Sequence, residues 1–340
     1  MLSMIARTAC ALAVAALAAT VAPPAPAQQV AAAPKVVATG LNTPWSIAFF
    51  GKTPLVSERG TARIMALGAN GAATEVATIA GVDGRGEGGL LGIAVHEGYL
   101  YAYFTAGAEN RIERYKIDGD GVNLKLGPAK KIIGGIPAAS YHNGGRIAFG
   151  PDGMLYASTG DAGERSRSQD LKSLAGKILR MTPDGGVPKD NPFSGSFVYS
   201  YGHRNVQGMA WAPGGIMYAS EFGENTWDEL NLIRAGGSYG WPVVEGKGGD
   251  KRFIDPLQQW STSEASPSGM AIVGGNIYIA NLRGQRLRKI PLSATGTANE
   301  LYVRQYGRLR DAVAAPDGTS GFSPTTPTDA ARRAKATTAS

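Results

Sequence analysis

Residues 151–161 read PDGMLYASTGD, a tight turn followed by a short apolar strand. Pro-Asp-Gly favours a turn, and a brief apolar run bounded by turn residues is typical of a buried strand. The same unit recurs at irregular intervals of about 40 to 60 residues. Its other copies are GKTPLVSERG at 51–60, HEGYLYAYFTAG at 96–107, PGGIMYASEFG at 213–223, VGGNIYIANLRG at 273–284 and the turn PDG at 316–318. This spacing fits a four-stranded blade with variable loops, so the sequence predicts an all-β, six-bladed β-propeller. The alternative is a β-sandwich or a stack of unrelated hairpins.

The composition agrees with many short strands joined by turns. The chain has 340 residues, of which 47 are glycine and 18% are charged, and it lacks long helical periodicity. Its formal charge of +7 is not gathered into a basic stripe interleaved with aromatics, which argues against a nucleic-acid partner. An anionic small ligand held by a few arginines fits this charge better.

The start of the chain, MLSMIARTACALAVAALAATVAPPAPAQQ, reads as a secretory signal peptide over residues 1–27, followed by a linker over 28–35. Its apolar run is too short for a membrane span. We therefore expect a secreted protein, extracellular or periplasmic, with the propeller at 36–320. The single cysteine, Cys10, lies in the signal, so we expect no disulfides after cleavage.

The stretch SYHNGGR places His142 in a loop that enters a blade, where propeller loops converge around the central channel. Gly144 and Gly145 allow a sharp turn and a close approach of ligand. The unperturbed pKa of an imidazole lies near neutrality, which suits a general base. The alternative is a surface histidine that only makes hydrogen bonds.

Three further loops carry side chains that suit a polar ligand, although each could equally be a solvated surface group. They are YGHRNVQG, with Arg204, Asn205 and Gln207 as donors for carboxylate and carbonyl oxygens; YGRLRD, with Arg308 and Arg310 on one side of an extended segment; and DELNLIRAGGSYGWP at 228–242, whose oxygens could bind calcium.

Several motifs, in this order, resemble the soluble quinoprotein sugar dehydrogenases, which include soluble glucose dehydrogenase and the aldose sugar dehydrogenases. They are LNTPWSIAF, LVSERG, EGGLLGIAVH, YHNGGRIAFGPDGMLYASTGD, YGHRNVQGMAW, DELNLIRAGGSYGWP, SPSGMAI and GRLRDAVAAPDG, spread from about Leu41 to Asp317. The resemblance implies a six-bladed propeller that binds pyrroloquinoline quinone (PQQ) and calcium. It also implies oxidation of the anomeric hydroxyl of an aldose to a lactone.

The resemblance assigns roles to individual residues. His142 matches the general base; Arg204, Asn205, Gln207, Arg308 and Arg310 match cofactor-binding residues; Glu229 and the carbonyls of Gly223, Glu224 and Tyr239 match calcium ligands. Glu87 stands where several members have a cofactor-contacting glutamine, and Arg283 replaces a lysine that reaches the quinone. A carboxylate at position 87 would repel a tricarboxylate quinone unless it is protonated or turned away.

The resemblance leaves the sugar, the electron acceptor and the choice between monomer and homodimer open. Two other functions remain possible on the sequence: a calcium-dependent propeller lactonase, or an extracellular binding module without enzymatic activity, since fold does not fix function.

The resemblance stops near Thr319, where the family continues with an apolar strand and this chain reads SGFSPTTPTDAARRAKATTAS. We expect a polar, strandless, disordered tail over 321–340 and an incomplete last blade. One permitted back-translation of the tail, read in another frame, encodes such an apolar strand, and we hypothesise a frameshift beginning near Thr319. The alternative is a natural polar tail.

Overall fold

Tight turns join the short apolar strands of this chain into antiparallel sheets, as the repeated units predict. The computed structural model describes residues 34–325, and within them the chain forms 23 strands and two short 3-10 helices, Arg165–Ser168 and Leu292–Ala294. The predicted signal peptide, at 1–27, lies outside the described residues. All the described strands belong to the unit that begins at Lys35.

The first three sheets follow one another along the chain. The first contains β1 (Pro44–Phe50), β2 (Thr53–Glu58), β3 (Arg63–Leu67) and β4 (Ala73–Thr78). The second contains β5 (Leu90–His96), β6 (Tyr99–Ala106), β7 (Glu109–Asp118), β8 (Lys125–Leu126) and β9 (Lys130–Pro137), with β9 paired to β7. The third contains β10 (Ile147–Phe149), β11 (Leu155–Ser158), β12 (Lys177–Met181) and β13 (Val198–Tyr201).

The remaining sheets repeat this order, except that the last is short. The fourth contains β14 (Val206–Ala212), β15 (Ile216–Glu221), β16 (Trp227–Ile233) and β17 (Gln258–Ser261). The fifth contains β18 (Pro267–Val273), β19 (Asn276–Asn281), β20 (Arg286–Pro291) and β21 (Asn299–Leu301). A two-stranded sheet of β22 (Leu309–Ala314) and β23 (Ser320–Pro324) follows.

The first strands of the sheets lie side by side. β5 contacts β1 and β10, β14 contacts β10 and β18, and β22 contacts β18 and β1. This arrangement confirms an all-β propeller with five blades of four or five strands. The two-stranded sheet lies between the fifth blade and the first. The loops before these first strands therefore gather at one end of the ring, where His142 lies.

Apolar clusters fill the space between consecutive sheets. Leu55, Ile64, Leu100 and Phe104 pack between the first and second sheets, and four further clusters occupy the next four interfaces. Burial of this area is the main term that holds the blades together.

The contact between the last sheet and the first is polar. The buried carboxylate of Asp311 on β22 accepts hydrogen bonds from the Ile47 amide, at 2.9 Å, and from the Arg146 guanidinium, at 3.1 Å. Arg146 also donates to the Ser46 hydroxyl, and its guanidinium lies over the Trp45 ring. One buried ion pair thus joins the first, third and last sheets.

The predicted strandless tail is wrong at its start. β23 covers Ser320–Pro324 and pairs with β22, with Phe322 packed against Tyr302 and Tyr306. Phe322 thus gives this polar segment an apolar contact in addition to its backbone pairing with β22. Residues 326–340 lie outside the described part of the chain. Within 34–325, no helix is long and apolar enough to cross a membrane.

Candidate active site

The loop that carries His142 is fixed by its neighbours. The Asn143 side chain donates to the Ala139 carbonyl at 2.8 Å and accepts from the Ala139 amide at 3.1 Å, which closes a tight turn. The Tyr103 hydroxyl donates to the Asn143 carbonyl at 2.9 Å. His142 itself has a φ of 57°, a left-handed conformation that a non-glycine residue adopts only when its surroundings enforce it.

His142 is paired with a carboxylate. Its Nδ1 lies 2.7 Å from Oδ1 of Asp161, which is buried, whereas the imidazole keeps a side-chain exposure of 15%. Burial disfavours the charged form of Asp161, but hydrogen bonds from His142, the Gly163 amide and Trp241 outweigh it and lower the pKa of the carboxyl. An ionised Asp161 accepts the Nδ1 proton, so the lone pair of the neutral imidazole lies on Nε2.

Trp241 holds the other oxygen of this carboxylate. Its indole Nε1 donates to Oδ2 of Asp161 at 2.9 Å. The guanidinium groups of Arg165 and Arg204 lie 5.2 and 5.4 Å from the centre of the Trp241 ring. The tryptophan thus links the carboxylate behind His142 to two cations.

Glu87 contacts the backbone of His142. Its Oε2 accepts the His142 amide at 2.9 Å, and its own amide donates to the Ser140 carbonyl at 2.8 Å. This contact connects the loop before β5 to the loop before β10. The Glu87 carboxylate, which would repel a tricarboxylate ligand, is therefore turned toward the loop that bears His142.

Asn205, Gln207 and Arg310 form one chain of hydrogen bonds. Oδ1 of Asn205 accepts from the Gly144 amide at 3.0 Å and from Nε2 of Gln207 at 3.1 Å. Oε1 of Gln207 accepts from Arg310 at 3.1 Å. Gln207 is thus engaged at both ends of its amide, whereas Nδ2 of Asn205 and Nε of Arg204 are buried without a partner among the described residues.

The same end of the ring holds an excess of positive charge. Burial, followed by repulsion from Arg146, Arg59 and Arg308, lowers the pKa of Arg310 to about 9. Burial and repulsion from Arg283 likewise lower the pKa of Arg308. A guanidinium whose charged form is disfavoured in this way is stabilised by any anion that binds beside it.

A small cavity next to Arg204 collects acidic groups. Its lining comprises Arg204, Glu221, Phe222, Gly223, Glu229, Tyr239, Trp241, Val244 and Glu245. Burial, and then the neighbouring Glu221, raise the pKa of Glu229. Glu224 lies outside this lining, and its side chain pairs with Arg165.

Within 34–325, no group of three or more histidine, cysteine or acidic side chains has the arrangement of a metal site. The cavity does bring Gly223, Glu229 and Tyr239 together, three of the four residues that the resemblance assigns to calcium. Two buried carboxylates, Glu221 and Glu229, that repel each other would be relieved by a cation.

Lys177 fixes the loop that carries Asp161. Its ammonium is buried and donates to the carbonyls of Arg167, Ser168 and Ala175 at 2.7, 3.0 and 2.6 Å. Burial lowers the pKa of Lys177 to about 7. These three hydrogen bonds tie the loop between Asp161 and β12 to β12 itself, the strand that carries Lys177.

Sequence reasoning missed Asp161, Trp241, Glu221 and Lys177. Asp161 and Trp241 both lie inside motifs quoted above, but they are 80 residues apart. The Glu221 carboxylate lies 2.8 Å from Nδ1 of His203 and accepts a hydrogen bond from the amide of Arg204. The sequence offered one signal for Asp161, which is the last residue of DGMLYASTGD and follows a strand. A histidine that acts as a base needs a carboxylate partner to fix its tautomer.

Comparison with known proteins shows that residues 41–323 match the glucose/sorbosone dehydrogenase family. The aldose sugar dehydrogenase YliI of Escherichia coli is 28% identical over 328 residues, which cover 84% of this chain and 87% of that protein. The quinoprotein glucose dehydrogenase B of Acinetobacter calcoaceticus is 32% identical over 262 residues, which cover 64% of this chain and 54% of that protein.

A solved structure is more similar still. The PQQ-bound form of the aldose sugar dehydrogenase of Streptomyces coelicolor superposes with a TM-score of 0.82 at 50% sequence identity, over 86% of this chain and 90% of that one.

Proposed function

The chain belongs to the glucose/sorbosone dehydrogenase family, and we propose that it is a PQQ-dependent enzyme that oxidises the anomeric hydroxyl of aldose sugars to lactones. The observation that carries this proposal is the His142–Asp161 pair at 2.7 Å, set beside an arginine-rich end of the propeller. The relatives named above, which include a PQQ-bound aldose sugar dehydrogenase, support the cofactor and the substrate class.

The residues present fit PQQ, which carries three carboxylates. Nε of Arg204 and Nδ2 of Asn205 are buried donors that need acceptors. Arg310 and Arg308 have pKa values lowered by burial and by neighbouring cations, so they need anions. We assign these four residues to the quinone and its carboxylates, with Arg283 beside Arg308 as a further cation.

Gln207 and Glu87 act differently. Because Gln207 bridges Asn205 and Arg310, it orients two cofactor-binding side chains. Glu87 acts on the base, since among residues 34–325 its side chain accepts a hydrogen bond from the His142 amide.

In the mechanism, Asp161 accepts the hydrogen bond from Nδ1–H of His142 and keeps the lone pair of the imidazole on Nε2. Nε2 then takes the proton of the anomeric hydroxyl. PQQ, when bound, would supply the electrophile that accepts the hydrogen of the anomeric carbon together with its electron pair. The arginines hold the anionic cofactor, and Trp241 keeps Asp161 in place.

Three finer proposals accompany this function. We propose calcium in the cavity beside Arg204, with Glu229 and the carbonyls of Gly223, Glu224 and Tyr239 as its ligands. The ion would act as a Lewis acid toward the quinone.

We infer that β22 and β23 form a shortened sixth blade, because they complete the ring of contacts between β18 and β1. We propose secretion from the sequence of residues 1–27.

Reconstitution tests the proposed function. Purified protein titrated with PQQ in the presence of calcium should bind the quinone and then reduce a dye in the presence of an aldose.

Arg204→Ala should weaken PQQ binding, because alanine cannot make the charge-assisted hydrogen bonds of arginine. Removal of calcium with a chelator should abolish dye reduction and lower the melting temperature, since an ion bound only to the native state stabilises it. Protein that neither binds PQQ nor reduces the dye would contradict the proposal.

Replacement of Glu87 separates a positioning role from a cofactor contact. Glu87→Ala removes the acceptor for the His142 amide and should lower kcat by about ten- to hundredfold, the cost of a small misplacement of the base. Glu87→Gln keeps an acceptor oxygen and should restore most of the rate. The affinity for PQQ, measured by titration of each variant, should not fall in Glu87→Ala. If Glu87→Gln is as slow as Glu87→Ala, or if Glu87→Ala loses quinone affinity, the positioning role is wrong.

A further inference from the structure

Tyr141 is the one aromatic side chain that is exposed in the part of the chain between 34 and 325. Its exposure is 47%, while the other aromatic side chains of that part are buried or half-buried. An exposed aromatic ring beside a polar, titratable side chain is typical of a ligand site, because such sites combine aromatic surface with a few polar groups. Tyr141 directly precedes His142.

The structure fixes the position of the Tyr141 ring. Its centre lies 4.6 Å from the centre of the His142 imidazole, and the two planes are nearly perpendicular, at 84°. On the other side, Gly163 leaves room for it, since a Cβ at that position would lie 2.8 Å from the Tyr141 hydroxyl oxygen. The ring therefore lies between the base and the loop that follows Asp161.

A sugar that reacts at His142 would lie near this ring. A general base works within about 3 Å of the hydroxyl that it deprotonates, and the Tyr141 ring is only 4.6 Å from the imidazole. The carbon-bound hydrogens of a pyranose present an apolar face, and an aromatic ring offers the flat apolar surface that matches it.

We propose that Tyr141 is the platform on which the pyranose ring of the aldose packs, so that it determines affinity for cyclic sugars. This inference rests on the proposed function for its substrate class. Tyr141 contributes binding surface, and it takes no proton in the reaction.

The experiment compares Tyr141→Ala, Tyr141→Phe and a control, Ile216→Ala, in the PQQ-loaded protein. Ile216 is also exposed, at 46%, but it follows a turn beside Pro151 at the opposite end of the strands. We expect Tyr141→Ala to raise the KM for glucose about three- to tenfold, the size of an aromatic packing contact, with kcat nearly unchanged. Tyr141→Phe and Ile216→Ala should match the parent protein.

Binding of anhydroglucitol, a glucose analogue without the anomeric hydroxyl, measures the platform without turnover. Calorimetric titration of each variant should show the same three- to tenfold loss in Tyr141→Ala. An unchanged Kd and KM in Tyr141→Ala, or an equal loss in Tyr141→Phe, would overturn the platform. Protein that binds anhydroglucitol through Tyr141 but oxidises no aldose would contradict the proposed function and leave the platform standing.

Discussion

His142→Ala should lower kcat for aldose oxidation by about 10² to 10⁴, because the hydroxyl of the sugar then loses its general base. Asp161 accepts a hydrogen bond from Nδ1 of His142 at 2.7 Å and so favours the tautomer whose lone pair is on Nε2. PQQ affinity should stay close to that of the parent protein, since the arginines that we assign to the anionic cofactor are untouched. Turnover with a dye acceptor at saturating PQQ measures the first effect, and titration of the apoprotein measures the second.

His96 provides a matched control for this prediction. It lies at the end of β5 and stacks on Phe149, with the ring centres 4.0 Å apart. Phe149 is the last residue of β10, whereas His142 precedes the start of β10. His96→Ala should leave kcat unchanged. Equal turnover in His142→Ala and the parent protein would remove His142 from the mechanism.

Asp311→Leu should lower the free energy of unfolding by about 3 to 5 kcal/mol, the usual cost when one partner of a buried ion pair is removed. Arg146 would remain buried over Trp45 with its charge uncompensated, and the Ile47 amide would lose its acceptor. Unfolding in urea, followed by tryptophan fluorescence, measures the change as a shift in the midpoint.

Two further variants make this result specific. Burial raises the pKa of Asp311 and lowers that of Arg146, so desolvation disfavours both charges. The double variant Arg146→Met, Asp311→Leu should therefore be less destabilised than Asp311→Leu alone. Asp250→Ala, which breaks an exposed pair with Arg252, should not shift the midpoint. A double variant as unstable as the single one would mean that the ion pair is not the cause.

The repeated turn-strand units were enough to predict an all-β propeller, because the pattern of Pro-Gly turns and apolar runs is local. The candidate site depended on contacts between distant segments. Asp161 and Trp241 meet across 80 residues, and Glu87 meets the His142 amide across 55. No spacing rule predicts which way the Glu87 carboxylate turns, since that depends on the backbone conformation of another loop.

The last strand, β23, also depends on contacts that its own sequence does not reveal. The polar composition of SGFSP favours a loop, yet β23 forms because β22 offers an unpaired edge and Phe322 finds two tyrosines. Tertiary contacts outweigh local propensity in a segment this short.

Lys177 places its own side-chain nitrogen among three carbonyl oxygens, a position that many proteins leave to a bound metal ion. Because this hydrogen-bond donor belongs to the chain, the loop that carries Asp161 is ordered when the chain folds, and it loses its conformational freedom then. One side chain of β12 thus fixes the segment that follows Asp161, and with it the side of the loop on which Asp161 meets His142.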